Sequence, residues 1–265
     1  MPATMVKANG ITMRCLAEGS GEPLVLVHGV GNQLEAWDGV VARLGDRFRT
    51  VRYDLRGHGE SEKAPGPYRI EDFAEDLRGL IDGLGLERVH LAGFSLGGLV
   101  AQAFALSYPE RVNRLALIST VAGRTEAERA RVLERLSILD DGIPGDHFRR
   151  SLDRWFTDEF RQAHPELIEQ YAARNQANDP ACYAAAYRVL ATTDLADRLP
   201  EIEIPTLVMT GEHDQGSNPR MARLIHERLV GSVLRILPGL RHSILIEAPD
   251  RVSDIMGDFL AGRLA

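Results

Sequence analysis

Only Lys7 and Lys63 among the 31 basic residues of this 265-residue chain are lysines; the rest are arginines. An anionic substrate group would therefore meet a guanidinium, which can grip a carboxylate through two parallel N–H donors. Cysteine is equally scarce. Cys15 and Cys182 are too few and too far apart for a disulfide framework or a metal knuckle. Two free thiols suit a reducing cytoplasm, and a cytoplasmic protein is expected. No run approaches the roughly 20 apolar residues needed to span a bilayer, and Met1-Pro2-Ala3-Thr4-Met5-Val6-Lys7 has no apolar signal core. The net charge of −7 argues against nucleic acid or an anionic membrane as the main partner. That leaves a small-molecule substrate, with a homo-oligomer left open. Internal repeats and low-complexity segments are also missing. What remains, 44% apolar and 26% charged residues, is an ordinary globular composition with room for one large domain or two small ones.

The most informative stretch is Gly93-Phe94-Ser95-Leu96-Gly97-Gly98. The apolar run Arg88–Ala92 leads in and reads as a buried strand. The run Gly98–Leu106 leads out and reads as a helix, with Leu99, Ala103 and Leu106 on one face, stopped by Pro109. Ser95 thus sits on a sharp strand-to-helix turn. Glycines two before and two after it are needed because a Cβ at either place would collide across the turn. The hydroxyl is projected from the end of a sheet, and the Leu96 N–H opens a helix beside it.

Around this turn the chain alternates strand and helix. Met5–Ala8 and Ile11–Cys15 form a hairpin about Asn9-Gly10. Buried strands follow at Pro23–His28, Phe48–Asp54 and Arg114–Ser119, with helices near 33–45 and 68–84 between them. From 121 to 199 there is no buried strand; helical stretches read at 125–139, 147–157, 165–176 and 180–192. Alternation resumes with Thr206–Met209, a helix near 218–229, Val233–Leu237 and a last helix at about 248–263. The expected class is α/β: a mostly parallel twisted sheet with helices on both faces. Residues 1–120 and 200–265 would form this core, with 121–199 a helical cap inserted before the late strands.

A serine hydroxyl is a poor nucleophile and needs a base, and the base needs a third group to fix its tautomer. The loop Gly211-Glu212-His213-Asp214 follows one late strand and Gly239-Leu240-Arg241-His242 follows the next. Ser95, Asp214 and His242 then stand at the carboxyl ends of their strands, in the order nucleophile, acid, histidine. Backbone N–H groups of Val30 and Leu96 are the expected oxyanion donors, with His28 shaping the Val30 loop. Asp54 is the rival acid, since it too ends a strand. His58 reads as a turn residue bonding the backbone, and Glu212-His213-Asp214 as an unsuitable metal set, because neighbours in a run point apart. No cofactor or metal is expected. Trp155 is the largest apolar side chain of the cap, with Phe156, Tyr183 and Tyr187 as possible company. Arg154 or a neighbouring arginine is the candidate partner for a substrate carboxylate, the other cap arginines forming mostly a solvated face.

These motifs, together with Asp54-Leu55-Arg56-Gly57-His58-Gly59-Glu60-Ser61, resemble the α/β-hydrolase superfamily over nearly the whole chain. Within it, Asp153-Arg154-Trp155-Phe156-Thr157 and Tyr183–Leu190 are most similar to the 3-oxoadipate enol-lactonase group. His28-Gly29 departs from that group, and is common in esterases and C–C bond hydrolases. The resemblance implies a serine hydrolase of a small ester or lactone. Its alternatives are a broad carboxylesterase, a hydrolase cleaving a C–C bond of a dienoic diketone, or a ligand-binding receptor of the same fold.

Overall fold

The computed structural model describes residues 3–45, 47–140 and 144–264. Its eight strands form one sheet in the order β1-β2-β4-β3-β5-β6-β7-β8. They are β1 (Thr4–Ala8), β2 (Ile11–Glu18), β3 (Glu22–Val27), β4 (Phe48–Tyr53), β5 (Val89–Phe94), β6 (Val112–Ile118), β7 (Thr206–Gly211) and β8 (Val233–Leu237). The pairs β1–β2 and β2–β4 are antiparallel; every pairing from β4 through β3, β5, β6 and β7 to β8 is parallel. The hairpin turn is Asn9-Gly10, both with positive φ, the geometry that matches strand twist.

Burial on both faces explains why the central strands lack polar alternation. Val25 and Val27 of β3 face one apolar core, and Leu24 and Leu26 face the other. The first core is covered by α2 (Ile70–Gly83), α3 (Leu96–Ser107) and α9 (Pro219–Arg228), the second by α1 (Asp38–Leu44), α10 (Ile244–Glu247) and α11 (Pro249–Leu260). Helix α2 shows the cause plainly. Ile70, Phe73, Leu77, Leu80 and Ile81 recur at helical spacing and are buried, and the Asp72 carboxylate accepts the Arg69 N–H at 2.7 Å to close its first turn.

Between β6 and β7 lie α4 (Glu126–Asp140), α5 (Pro144–Trp155), α6 (Asp158–Ala163), α7 (Pro165–Gln176) and α8 (Pro180–Thr192). A separate apolar cluster of Phe148, Phe156, Ile168 and Ala172 binds α5 and α7 together. Proline at N1 starts α7 and α8, and the Asp179 side chain caps α8 by accepting from the Cys182 N–H at 2.9 Å. The segment near 33–45 differs from the single helix expected. It opens as a 3₁₀ turn over Leu34–Trp37 before α1, because the Asp54 carboxylate captures the Leu34 N–H at 2.8 Å. The helix expected at 147–157 is α5, which ends at Trp155, and the unexpected α6 follows it because the Thr157 hydroxyl caps a new helix at the Phe160 N–H.

His28 and His58 are packed edge to face with ring centroids 5.3 Å apart, both fully buried. Burial pushes their pKa values down to about 4 and about 3. The unfolded chain therefore binds protons that the folded one refuses, and stability falls as pH drops below the ordinary imidazole value. Buried Asp54 and Asp76 carboxyls are raised, and their opposing effect lies lower, in the carboxylate range. Urea unfolding between about pH 6.5 and pH 5 should lose stability by up to about 1.4 kcal/mol per pH unit for each buried histidine. His58→Gln should flatten that slope; an unchanged slope would place the proton uptake elsewhere.

Candidate functional site

Ser95 has φ 55°, ψ −116°, a conformation side chains rarely adopt. Two glycines allow it. A Cβ on Gly97 would collide with the Val27 carbonyl oxygen, and one on Gly93 with the Gly97 carbonyl oxygen. The backbone is held from both sides: the Ser95 N–H donates to the Ile118 carbonyl at 2.9 Å, and the Thr120 hydroxyl donates to the Ser95 carbonyl at 2.8 Å. Leu96 begins α3, so its N–H has no intrahelical partner.

β3, β5, β6, β7 and β8 run parallel, so the loops after them gather at one edge. The last two loops are tied together. The His213 N–H donates to the Leu240 carbonyl at 2.8 Å, and the Gly239 N–H to the Glu212 carboxylate at 2.9 Å. Asp214 is buried. One carboxylate oxygen accepts the Gly216 and Ser217 N–H groups, each at 2.9 Å; the other faces His242 Nδ1 at 2.6 Å. His242 leans on Phe94 with ring centroids 5.0 Å apart, and its carbonyl accepts the Ser119 hydroxyl at 3.3 Å. His213 is exposed with its Nε2 3.8 Å from the Glu212 carboxylate, whereas Asp214 is buried and turned the other way to His242, so the three do not converge. Asp54 is spent on structure. It accepts the Leu34 and Glu60 N–H groups and pairs with Arg14 at 3.4 Å.

The Val30 loop is held on both sides. His28 Nε2 accepts the Leu55 N–H at 3.0 Å, leaving the Nδ1 proton for the Gly29 carbonyl at 2.8 Å. The Gly31 carbonyl accepts side-chain N–H groups of Asn175 at 3.2 Å and Asn178 at 3.0 Å, both from the α7 end. His58 bonds the Arg56 carbonyl through Nδ1 at 2.9 Å, as a turn residue does.

Two lobes of one cavity meet at Ser95, His242, Val30 and Trp155. The Trp155 ring lies 6.4 Å from the His242 ring. One lobe is apolar, walled by Phe94, Phe148, Phe156, Tyr171 and Ile246. The other is basic: Arg124, Arg131, Arg135 and Arg154 line it, with Glu128 as the one carboxylate in its wall among the described residues. Glu128 is already spoken for. Although burial acts against it, hydrogen bonds from Arg220 and Asn218 hold its carboxyl at about 2. Among the described residues no carboxylate pairs with Arg135 or Arg154. Burial and then the neighbouring Arg135 push the Arg154 guanidinium below its ordinary value. The sequence suggested one or two inward arginines; the structure brings four to the wall. It also brings His147, which sequence reasoning missed. Its signal was the spacing His147, Ser151, Arg154, Trp155, one face of α5. Tyr187 lines the basic lobe, whereas Tyr183 stands behind it, bonded to His147 at 2.9 Å.

This geometry agrees with what the chain is similar to. Residues 22–249 match a family model described as the alpha/beta hydrolase fold, and the chain belongs to that family. It is 32% identical over 97% of both chains to an (E)-2-((N-methylformamido)methylene)succinate hydrolase of Acinetobacter baylyi. It is 30% identical to 3-oxoadipate enol-lactonase 2 of the same organism, over 85% of this chain and 84% of the relative. The crystal structure of the enol-lactonase from Burkholderia xenovorans LB400 superposes with a TM-score of 0.92 at 30% identity, covering 97% of this chain and all of that one. The chain is thus a hydrolytic enzyme. Among the described residues no helix is long and apolar enough to cross a membrane.

The crowding at the Ser95 turn is testable through stability. Gly97→Ala should cost about 2 kcal/mol or more in urea unfolding, since a carbonyl oxygen fills the place of the new methyl group. A variant as stable as the parent would mean that the turn relaxes freely.

Proposed function

We propose that the protein is a serine hydrolase of a small ester or lactone bearing a carboxylate, with Ser95 as nucleophile, His242 as base and Asp214 as its orienting acid. The observation that carries this is the 2.6 Å Asp214–His242 contact beside Ser95 in a cavity whose far wall is arginine. The Asp214 contact puts the imidazole proton on Nδ1, so Nε2 is free to take the Ser95 proton as the hydroxyl attacks the acyl carbon. Leu96 and Val30 N–H groups hold the oxyanion, each such donor supplying about 3 kcal/mol. The protonated His242 passes the Ser95 proton to the leaving oxygen, whose departure gives an acyl-Ser95 ester and returns the imidazole to its neutral form; in a lactone that oxygen stays tethered. Water, deprotonated by His242, then releases the acid and restores the hydroxyl. An enol-lactone would give an enol that becomes a ketone.

Residues 121–199 act as the cap in this reading, excluding water and setting selectivity. Arg154 holds the substrate carboxylate, and Trp155 divides the two lobes beside the reacting bond. Support comes from the cost of a partly buried guanidinium with no carboxylate partner among the described residues, a cost that an anionic substrate removes. By their names, two relatives also act on derivatives of dicarboxylic acids, a succinate and an oxoadipate.

Ser95→Ala should lose activity by about 10⁴-fold or more with the fold intact. Asp214→Asn should cost far more than Asp54→Asn, because Asp54 is bonded to backbone and Arg14; the reverse order in side-by-side kinetics would overturn the assignment. A panel of an aryl acetate, an acidic enol-lactone and a dienoic diketone tests the substrate class. Preference for the acidic lactone, weakened in Arg154→Met, is expected. Equal rates on neutral and carboxylated substrates would return the site to a general esterase, and cleavage of the diketone alone would make it a C–C hydrolase.

A further inference from the structure

His147 is a buried histidine in the wall of the basic lobe whose Nε2 has no partner among the described residues. Its surroundings fix both its charge and its proton. Trp155, Tyr183 and Tyr187 pack edge-on about the ring, with centroids 5.2 to 5.9 Å away. Burial and the nearby Arg154 and Arg135 push its pKa down to about 3, so the imidazole is neutral and carries a single N–H. On the Nδ1 side stands the Tyr183 hydroxyl at 2.9 Å. Burial raises the Tyr183 phenol, so it keeps its proton, while the Asn175 amide donates to its oxygen. The phenol proton is then directed to His147 Nδ1, which leaves the imidazole proton on Nε2.

A buried N–H without an acceptor costs about 1 to 3 kcal/mol, and such a group in a cavity wall is satisfied by what the cavity binds. Beside it are Arg154 and Arg135, which need negative charge and accept no hydrogen bond. We propose that His147 is a specificity-determining residue that donates its Nε2–H to an oxygen of the substrate's carboxylate, with Tyr183 and Asn175 as positioning residues that lock the donor tautomer. This rests on the reading of the site as a hydrolase of a carboxylated ester or lactone. A third arginine at this place would add repulsion between like charges. A neutral donor adds direction without charge, and it holds the carboxylate in one orientation while the guanidinium supplies attraction.

The test compares para-nitrophenyl acetate with the mono-para-nitrophenyl ester of succinic acid. His147→Phe keeps a ring and removes the donor. It should lower the ratio of kcat/KM, succinate ester over acetate, by about tenfold or more, chiefly through KM. His147→Gln, which keeps an N–H, should restore much of the ratio, and Tyr183→Phe should give an intermediate loss because the tautomer is no longer fixed. A parental ratio in a folded His147→Phe protein overturns the proposal. ¹⁵N NMR of the wild-type imidazole is an independent arm that survives a folding failure of the variant. It should show a neutral ring protonated at Nε2 whose signal moves on adding succinate; protonation at Nδ1, or no response to succinate, overturns the proposal. Failure of the wild type to cleave either ester would instead defeat the ester-hydrolase reading, and the NMR titration would still report on His147.

Discussion

The left-handed backbone of Ser95 is the constraint from which the site follows. At φ 55° a serine is strained, and only enclosure keeps it there. The enclosure comes from four places: the β3 carbonyl that forbids a side chain at Gly97, the Ile118 carbonyl on β6, the Thr120 hydroxyl, and the first turn of α3. Each belongs to a neighbouring piece of the parallel sheet. The sheet must therefore be assembled before the hydroxyl is presented. In turn, presentation at the carboxyl edge puts it where the loops after β3, β7 and β8 converge.

Charge in the cavity is divided by a similar economy. Asp214 faces inward and is saturated by two N–H groups and His242. Glu128 is neutralised by Arg220 from outside the cavity lining. The arginines of α4 and α5 are left to face the space next to Ser95. One lobe thereby favours anions while the other, walled by aromatic rings, favours apolar groups, and Ser95 and His242 lie at their junction. Under the proposed function, a substrate would be oriented by its own polarity before chemistry begins.

Much of this was legible in the chain. Strands buried on both faces announced themselves as Pro23–His28, Arg88–Ala92 and Thr206–Met209. The glycines around Ser95 implied its turn because so little else tolerates the geometry. Proline and acidic or amide caps marked α7, α8 and α9 nearly to the residue. The short helix α6 that follows α5 was not legible. It depends on Glu247, far along the chain, accepting the Thr157 N–H and hydroxyl at 2.8 Å each. Nor could the sequence rank the cap arginines. Arg131, Arg135 and Arg154 differ from Arg129 and Arg150 by the direction each helix face takes after packing, and this is settled by Val132, Leu136 and Leu139 on α4 and by Phe148 on α5 rather than by the arginines. His147 was missed for the same reason: a polar residue on an apolar face is ambiguous until its neighbours are known.

The two asparagines on the Gly31 carbonyl carry a consequence for modular exchange. Asn175 and Asn178 end α7 and follow it, whereas Gly31 lies next to Val30 in the core loop. Gly31 has φ 74°, and a side chain there would run into Tyr183 and Asn175. The helical roof and the floor beneath it are thus fitted to one another at a peptide unit adjoining Val30. A chimaera grafting another hydrolase's roof onto this sheet inherits a bare carbonyl unless the asparagines travel with it, and a roof carrying them expects a glycine below. Transplanting specificity in this scaffold therefore means moving a pair of matched parts, one from each side of the seam.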